Sequence, residues 1–182
     1  ITLGEAQAIY EPAVIRWIFA SRKPNLDFTI AFDLDVMRTY DDYDRCERFA
    51  YGVEEGEEKK VSYERRIYEL SCVKKPELSG EMPAQFGFRH LCNLLQINEG
   101  DLEKTRAFYS DVLRTPVDEA RFRLRAERAW KWITEFAPEE FKFRVRSPED
   151  VTEKTAHPKA IEGVIDILSR PGVEKMPEDG LA

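Results

Sequence analysis

Apolar residues near the start of the chain recur at the spacing of one helix face. Val14, Ile15, Ile18 and Phe19 follow Pro12 in this way. Proline is favoured at a first helical position, because its fixed φ suits the helix and its missing N–H would have no partner there. Pro24 interrupts the pattern. We therefore predict an amphipathic helix that begins at Pro12 and ends by Pro24.

The pattern then changes its period. Between positions 28 and 32, apolar residues alternate with small or polar ones, which predicts a short strand built on Phe28, Ile30 and Phe32. A long amphipathic helix should follow, capped by Asp33 or Asp35 and closed by Gly52, which tolerates the left-handed C′ conformation. Its buried stripe would contain Val36, Tyr40, Tyr43 and Ala50.

The pattern in the rest of the chain also predicts mainly helices. Thr115, Pro116 and Asp118 together form a strong start signal, with a capping hydroxyl, a proline and an acid in sequence. We expect loops at 54–60 and 74–83, a possible second strand at 141–145, and a final short helix from Pro158. The other helices are predicted at 61–72, 86–97, 102–113 and 116–136. The fold class is therefore mainly α.

Composition describes an ordinary globular chain. Its 182 residues are 42% apolar and 35% charged, enough for one core or two small ones. It has no apolar run near the roughly 18 residues of a membrane span and no secretory leader, so we expect a cytoplasmic protein without a membrane partner. Cys46, Cys72 and Cys92 are odd in number and widely spaced, which favours reduced thiols over disulfides or zinc ligands.

The charge distribution argues against non-specific nucleic-acid binding but leaves room for a local patch. Net charge is −7, whereas residues 121–146 carry eight basic and four acidic side chains. Four candidates follow helical spacing on one face, where guanidinium groups could bind RNA phosphates and an indole could stack a base: Arg121, Arg125, Arg128 and Trp132. Lys131 lies beside them. The alternative is a solvated face, with Trp130 and Trp132 in the core.

The chain offers no pattern for catalysis or metal binding. The acids between Asp33 and Asp44 lack the glycine that turns a calcium loop. His90 and His157 have no Cys, Ser or acid at a motif spacing. A glycine-rich phosphate loop is also missing. We therefore predict no catalytic residue, no metal ligand and no cofactor for this chain.

One long stretch nevertheless has a specific sequence pattern. The first 48 residues follow the pattern ITL.EAL..Y.P..IRW.FA..KPN..F.I.FDLDV...Y..YDR.ER, and the chain resembles the class I lysyl-tRNA synthetases in the segment after their KMSKS loop. The matching residues are Ile1, Thr2, Leu3, Glu5, Ala6, Tyr10, Pro12, Ile15, Arg16, Trp17, Phe19, Ala20, Lys23, Pro24, Asn25, Phe32, Asp33, Leu34, Asp35, Val36, Tyr43, Asp44, Arg45, Glu47 and Arg48. Looser similarity continues through 65–71, 83–97 and 126–145.

The resemblance implies a domain plan. Residues 1–75 would form a stem-contact-fold region, and residues 83–182 a helical, truncated part of the anticodon-binding cage. The family's catalytic half, with its HIGH-type sequence and its KMSKS loop, would lie upstream of Ile1. We therefore expect this chain to be a fragment that neither binds ATP tightly nor aminoacylates.

The resemblance also implies partners and sites. The parent enzyme would use ATP with Mg²⁺ to join lysine to its tRNA, and this fragment would hold the tRNA beside the upstream catalytic domain. Arg22, Lys23 and Asn25 become candidate contacts to the tRNA backbone, together with the stripe on the 116–136 helix. Two alternatives remain, a helical protein-docking module and the equivalent region of a glutamyl-tRNA synthetase.

Overall fold

A computed structural model describes residues 2–23, 25 and 27–146, and the residues up to Val145 form one compact unit. It confirms the mainly α fold class, since the described part contains helices and no strand. The predicted helix from Pro158 and His157 lie outside the described residues. None of the described helices is long and apolar enough to cross a membrane. The elements are α1 (Leu3–Ile9), α2 (Pro12–Ala20), α3 (Asp35–Tyr51), α4 (Glu58–Ser71), α5 (Phe88–Ile97), α6 (Leu102–Ala107), α7 (Pro116–Glu135) and a 3₁₀ turn (Glu139–Phe141).

Local capping explains where the helices begin and end. α2 starts at Pro12 as expected, and α7 starts with a complete capping box between Thr115 and Asp118. α3 ends at Gly52, whose φ of 72° is left-handed. The N-cap of α3 is Leu34, so neither predicted cap, Asp33 or Asp35, holds that position, although the Asp35 N–H donates to the Asp33 carboxylate at 3.0 Å. The starts of α2 and α7 and the end of α3 follow from signals that the sequence displays.

Three predicted boundaries need correction. α4 begins at Glu58, inside the predicted 54–60 loop, since acidic side chains are favourable at the positive end of a helix. α6 stops at Ala107 rather than at position 113, because the next N–H groups bond three residues back and tighten the chain into turns. α5 begins at Phe88 rather than at position 86.

Neither predicted strand exists among the described residues. Residues 27–32 have no regular secondary structure, and distant side chains donate to carbonyl groups that a neighbouring strand would pair. Tyr10 Oη donates to the Ala31 carbonyl at 2.8 Å, and Trp132 Nε1 donates to the Phe32 carbonyl at 2.8 Å. Position 141 belongs to the 3₁₀ turn, and the Phe143 N–H donates to Gln96 Oε1 at 2.8 Å. The alternating apolar residues therefore belong to irregular segments that pack against the core, not to strands of a sheet.

A run of buried aromatic rings joins the two halves of the chain. The Tyr40 ring on α3 stacks on Tyr10 at 5.7 Å and on the α5 ring of Phe88 at 4.2 Å between centroids. Phe88 in turn lies 5.8 Å from Trp132 on α7. Residues from both predicted regions, 1–75 and 83–182, thus share one core. Their assignment to a stem-contact region and an anticodon-binding region stays a prediction.

Two left-handed glycines provide a matched stability test. Gly52 has open space where a Cβ would lie, whereas a Cβ on Gly100 (φ 82°) would come within 2.5 Å of the Trp130 ring. We expect Gly52→Ala to cost about 1 to 2 kcal/mol of unfolding free energy from backbone strain. Gly100→Ala should cost at least about 1 kcal/mol more, because overpacking adds to that strain. Urea denaturation measures both, and equal losses would contradict the packing role of Gly100.

Candidate nucleic-acid interface

Arg125 lies at the centre of the described unit rather than on its surface. Its side chain on α7 is only 2% exposed. The guanidinium donates to Glu11 Oε1 at 2.6 Å, to Asp44 Oδ2 at 2.7 Å and to the Phe86 carbonyl at 3.1 Å, and it stacks over the Tyr40 ring at 5.0 Å. Arg125 therefore ties α7 to the start of α2, to α3 and to the segment before α5.

The carboxylates around Arg125 stabilise its charged form. They raise the pKa of Arg125 well above its ordinary value although burial opposes this, so the guanidinium is charged at every working pH. Burial raises the pKa of Asp44, because the cost of desolvation outweighs the attraction of Arg125. Because its side chain is only 2% exposed, this guanidinium is not accessible to an RNA phosphate.

Arg121 makes a second, parallel connection one helical turn earlier. Its two terminal nitrogens donate to the fully buried Glu47 carboxylate at 2.9 and 2.7 Å. Tyr68 on α4 and Gln85 also donate to that carboxylate, at 2.7 and 2.8 Å. Burial would raise the pKa of Glu47, but Arg121 and these hydrogen bonds lower it. Arg121 thus stabilises a buried charge on α3.

Trp132 belongs to the core. Its side chain is 0% exposed, and its Nε1 is committed to the Phe32 carbonyl. The expectation of an exposed stripe on α7 therefore needs correction, because Arg125 and Trp132 are buried and Arg121 is paired inward. The alternative to RNA contact was a solvated face with Trp130 and Trp132 in the core. Trp132 does lie in the core, and Trp130 is partly buried against the core.

The other α7 candidates keep some surface. Lys131 is exposed and forms an ion pair with Glu135 one turn later. Arg128 is half-buried, and its Nε makes no hydrogen bond within the described part of the chain. Exposed ion pairs of the Lys131 kind contribute little to stability, so both cations remain candidates for contact with tRNA.

The candidates after α2 are the accessible ones. Arg22, Lys23 and Asn25 are all exposed, and Asn25 has a left-handed φ of 66°. The Arg22 guanidinium lies 5.7 Å from the centroid of the Phe28 ring. That ring packs edge-on against Phe19 at 5.1 Å. An exposed cation supported by an aromatic pair is well placed to meet a phosphate.

The structure adds cations that sequence reasoning missed. A cavity of about 270 Å³ opens between the end of α2, α3 and the first turns of α4, and Arg22, Arg45 and Lys60 line it. Arg45 lies in the acidic α3 sequence, and Lys60 lies in a segment predicted as an acidic loop. The sequence indicates this cluster only through helical spacing, which places positions 45 and 49 on one face of α3.

Comparison with known proteins agrees with the sequence resemblance. The family model described as tRNA synthetases class I (K) matches residues 1–74, which contain α1 to α4. A lysine–tRNA ligase of Borrelia garinii subsp. bavariensis is 42% identical over 172 residues, which are 93% of this chain and 32% of that protein. The chain belongs to the class I lysyl-tRNA synthetase family.

Two further lysine–tRNA ligases are also similar in sequence to this chain. The lysine–tRNA ligase of Treponema pallidum is 41% identical over 150 residues, 80% of this chain and 27% of that protein. That of the archaeon Pyrococcus furiosus is 33% identical over 158 residues, 84% of this chain and 29% of that protein. The chain thus spans about a third of the length of these lysine–tRNA ligases or less.

The role of Arg125 is testable against a neighbour on the same helix. Arg125→Met should lower the unfolding free energy by about 3 to 5 kcal/mol, because it leaves Glu11 and Asp44 buried without a cation. Arg123→Met is the control, since Arg123 is 64% exposed and pairs with Glu103 at 3.6 Å. We expect the control to cost about 0.5 kcal/mol or less in urea denaturation. Similar losses in both variants would contradict the structural role of Arg125.

Proposed function

We propose that this chain is the tRNA-binding part of a class I lysine–tRNA ligase and carries no chemistry itself. The observation that carries the proposal is the 42% identity to a lysine–tRNA ligase over 93% of the chain. The whole enzyme would join lysine to its tRNA in the cytoplasm, with release of AMP and pyrophosphate. ATP with Mg²⁺ would act in a catalytic domain of the same protein.

The geometry supports a positioning role. Contacts to phosphate groups fix the orientation of a nucleic acid without reading its bases. Arg22, Lys23 and Asn25 are exposed just after a helix whose other side is buried in the core, so they are accessible for such contacts. Holding one reactant in a fixed orientation can contribute several kcal/mol to a distant reaction.

The contact set on α7 is narrower than the sequence suggested. Arg125 and Trp132 have no accessible surface for a phosphate or a base, and Arg121 is paired with Glu47. We therefore propose that tRNA contacts the cations after α2 first, with Arg128 and Lys131 as further contacts on α7. Arg125 and Trp132, the buried residues of the predicted stripe, hold α7 in position relative to the end of α2.

A binding titration tests this function. The chain is titrated with transcribed lysine tRNA at about 50 and about 200 mM salt, and tryptophan fluorescence is followed. About three phosphate contacts should weaken binding roughly 20- to 40-fold between these salt concentrations, because bound counterions are released. A non-cognate tRNA is the comparison, and it should bind with similar affinity, because the proposed phosphate contacts do not read bases. Absent binding at low salt, or binding that salt does not change, would contradict a tRNA-binding role.

A further inference from the structure

The cavity beside α2 has unpaired cations at its rim. Arg22 and Lys60 are both exposed, and neither forms an ion pair with any residue that the structure describes. Each lies over an aromatic ring instead, with Lys60 Nζ 4.8 Å from the centroid of Phe49 and Arg22 over Phe28. The third cation, Arg45, is occupied by Glu54 at 2.6 Å. Arg22 and Lys60 therefore have donors available for an anion.

The same cavity also presents carboxylates. Asp42 and Glu64 line it; Asp42 is 3.8 Å from Arg38 in an exposed pair, and Glu64 forms no ion pair among the described residues. Carboxylate oxygens accept hydrogen bonds and repel a bare anion. A ligand with an anionic end and, beside it, a hydroxyl group that donates would suit both sets of groups.

The backbone of RNA has this chemistry in every residue. Each unit combines a phosphate with a ribose 2′-hydroxyl, which is both donor and acceptor and distinguishes RNA from DNA. The cavity of about 270 Å³ leaves room for one sugar with its phosphate at the rim. Free phosphate would satisfy only the cations and would face Asp42 and Glu64 unfavourably.

We propose that this cavity binds one ribose–phosphate unit of an RNA backbone. Arg22 and Lys60 bind the phosphate, and one of the two carboxylates, Asp42 or Glu64, accepts the single hydrogen bond that the ribose 2′-hydroxyl donates. The buried face of α2, with Trp17 lining the cavity and Val14 in the core, fixes the floor of the site. The inference rests on the proposed tRNA-binding function and names a subsite within it that selects RNA over DNA.

Two charge-matched variants test the phosphate half of the site. Arg22→Gln with Lys60→Gln removes two cations from the rim, and Lys74→Gln with Lys75→Gln removes two exposed cations that do not line the cavity. Lysine tRNA binding is measured for both and for the unchanged chain across a salt series. The rim variant should lose about tenfold or more in affinity, and its salt slope should fall by about one contact, because both cations bind the same phosphate. The control should change less than about threefold.

The hydroxyl half is tested by the ratio of RNA to DNA affinity. The unchanged chain should bind lysine tRNA more tightly than the all-deoxy molecule of the same sequence. Asp42→Ala with Glu64→Ala should reduce that ratio towards one, although removing acids strengthens binding to both molecules. Circular dichroism checks that each variant keeps its helices, which is expected because all six substituted side chains are exposed or half-buried.

The outcomes separate the subsite from the function on which it rests. Binding by the unchanged chain together with equal affinities of the rim variant and the control would overturn the subsite and leave tRNA binding intact. An unaltered RNA-to-DNA ratio after removal of Asp42 and Glu64 would do the same. No binding by the unchanged chain at low salt would overturn both proposals.

Discussion

The rest of the described structure depends on one buried cation, Arg125. It joins Glu11, 114 residues earlier, and Asp44, 81 residues earlier, at the centre of the helices. Desolvating three charged groups is costly, and only short, geometrically complete contacts offset that cost. The network therefore specifies one arrangement of α2, α3 and α7. Arg121 and Glu47 repeat this device one turn away and extend it to α4 through Tyr68.

This arrangement determines which cations face solvent. Because α7 directs Arg121 and Arg125 inward, the accessible cations that line a cavity are found elsewhere. They lie at the end of α2 and at the first turns of α4, where Arg22 and Lys60 flank a cavity. The charged core thus builds a rigid support, and the tRNA surface that we propose is carried on its α2 side.

Much of the fold could be predicted from local chemistry, whereas the site could not. The caps at Thr115 and Gly52 act within a few residues, so the sequence displays them directly. The alternation at 28–32 indicated burial on one side but not which groups would satisfy the backbone. Helical spacing places Arg125 on a face, but it cannot reveal that the distant Glu11 meets that face. Long-range partners decide between a surface cation and a buried one.

The tryptophan side chains allow the most direct test of this account. The chain has three, and their indole N–H signals can be followed individually by NMR while lysine tRNA is added. Trp17 lines the proposed cavity, whereas Trp132 is buried with its indole bonded to Phe32. We predict that the Trp17 signal shifts and the Trp132 signal does not. A shift of Trp132 with an unchanged Trp17 would contradict the account and return RNA contact to α7.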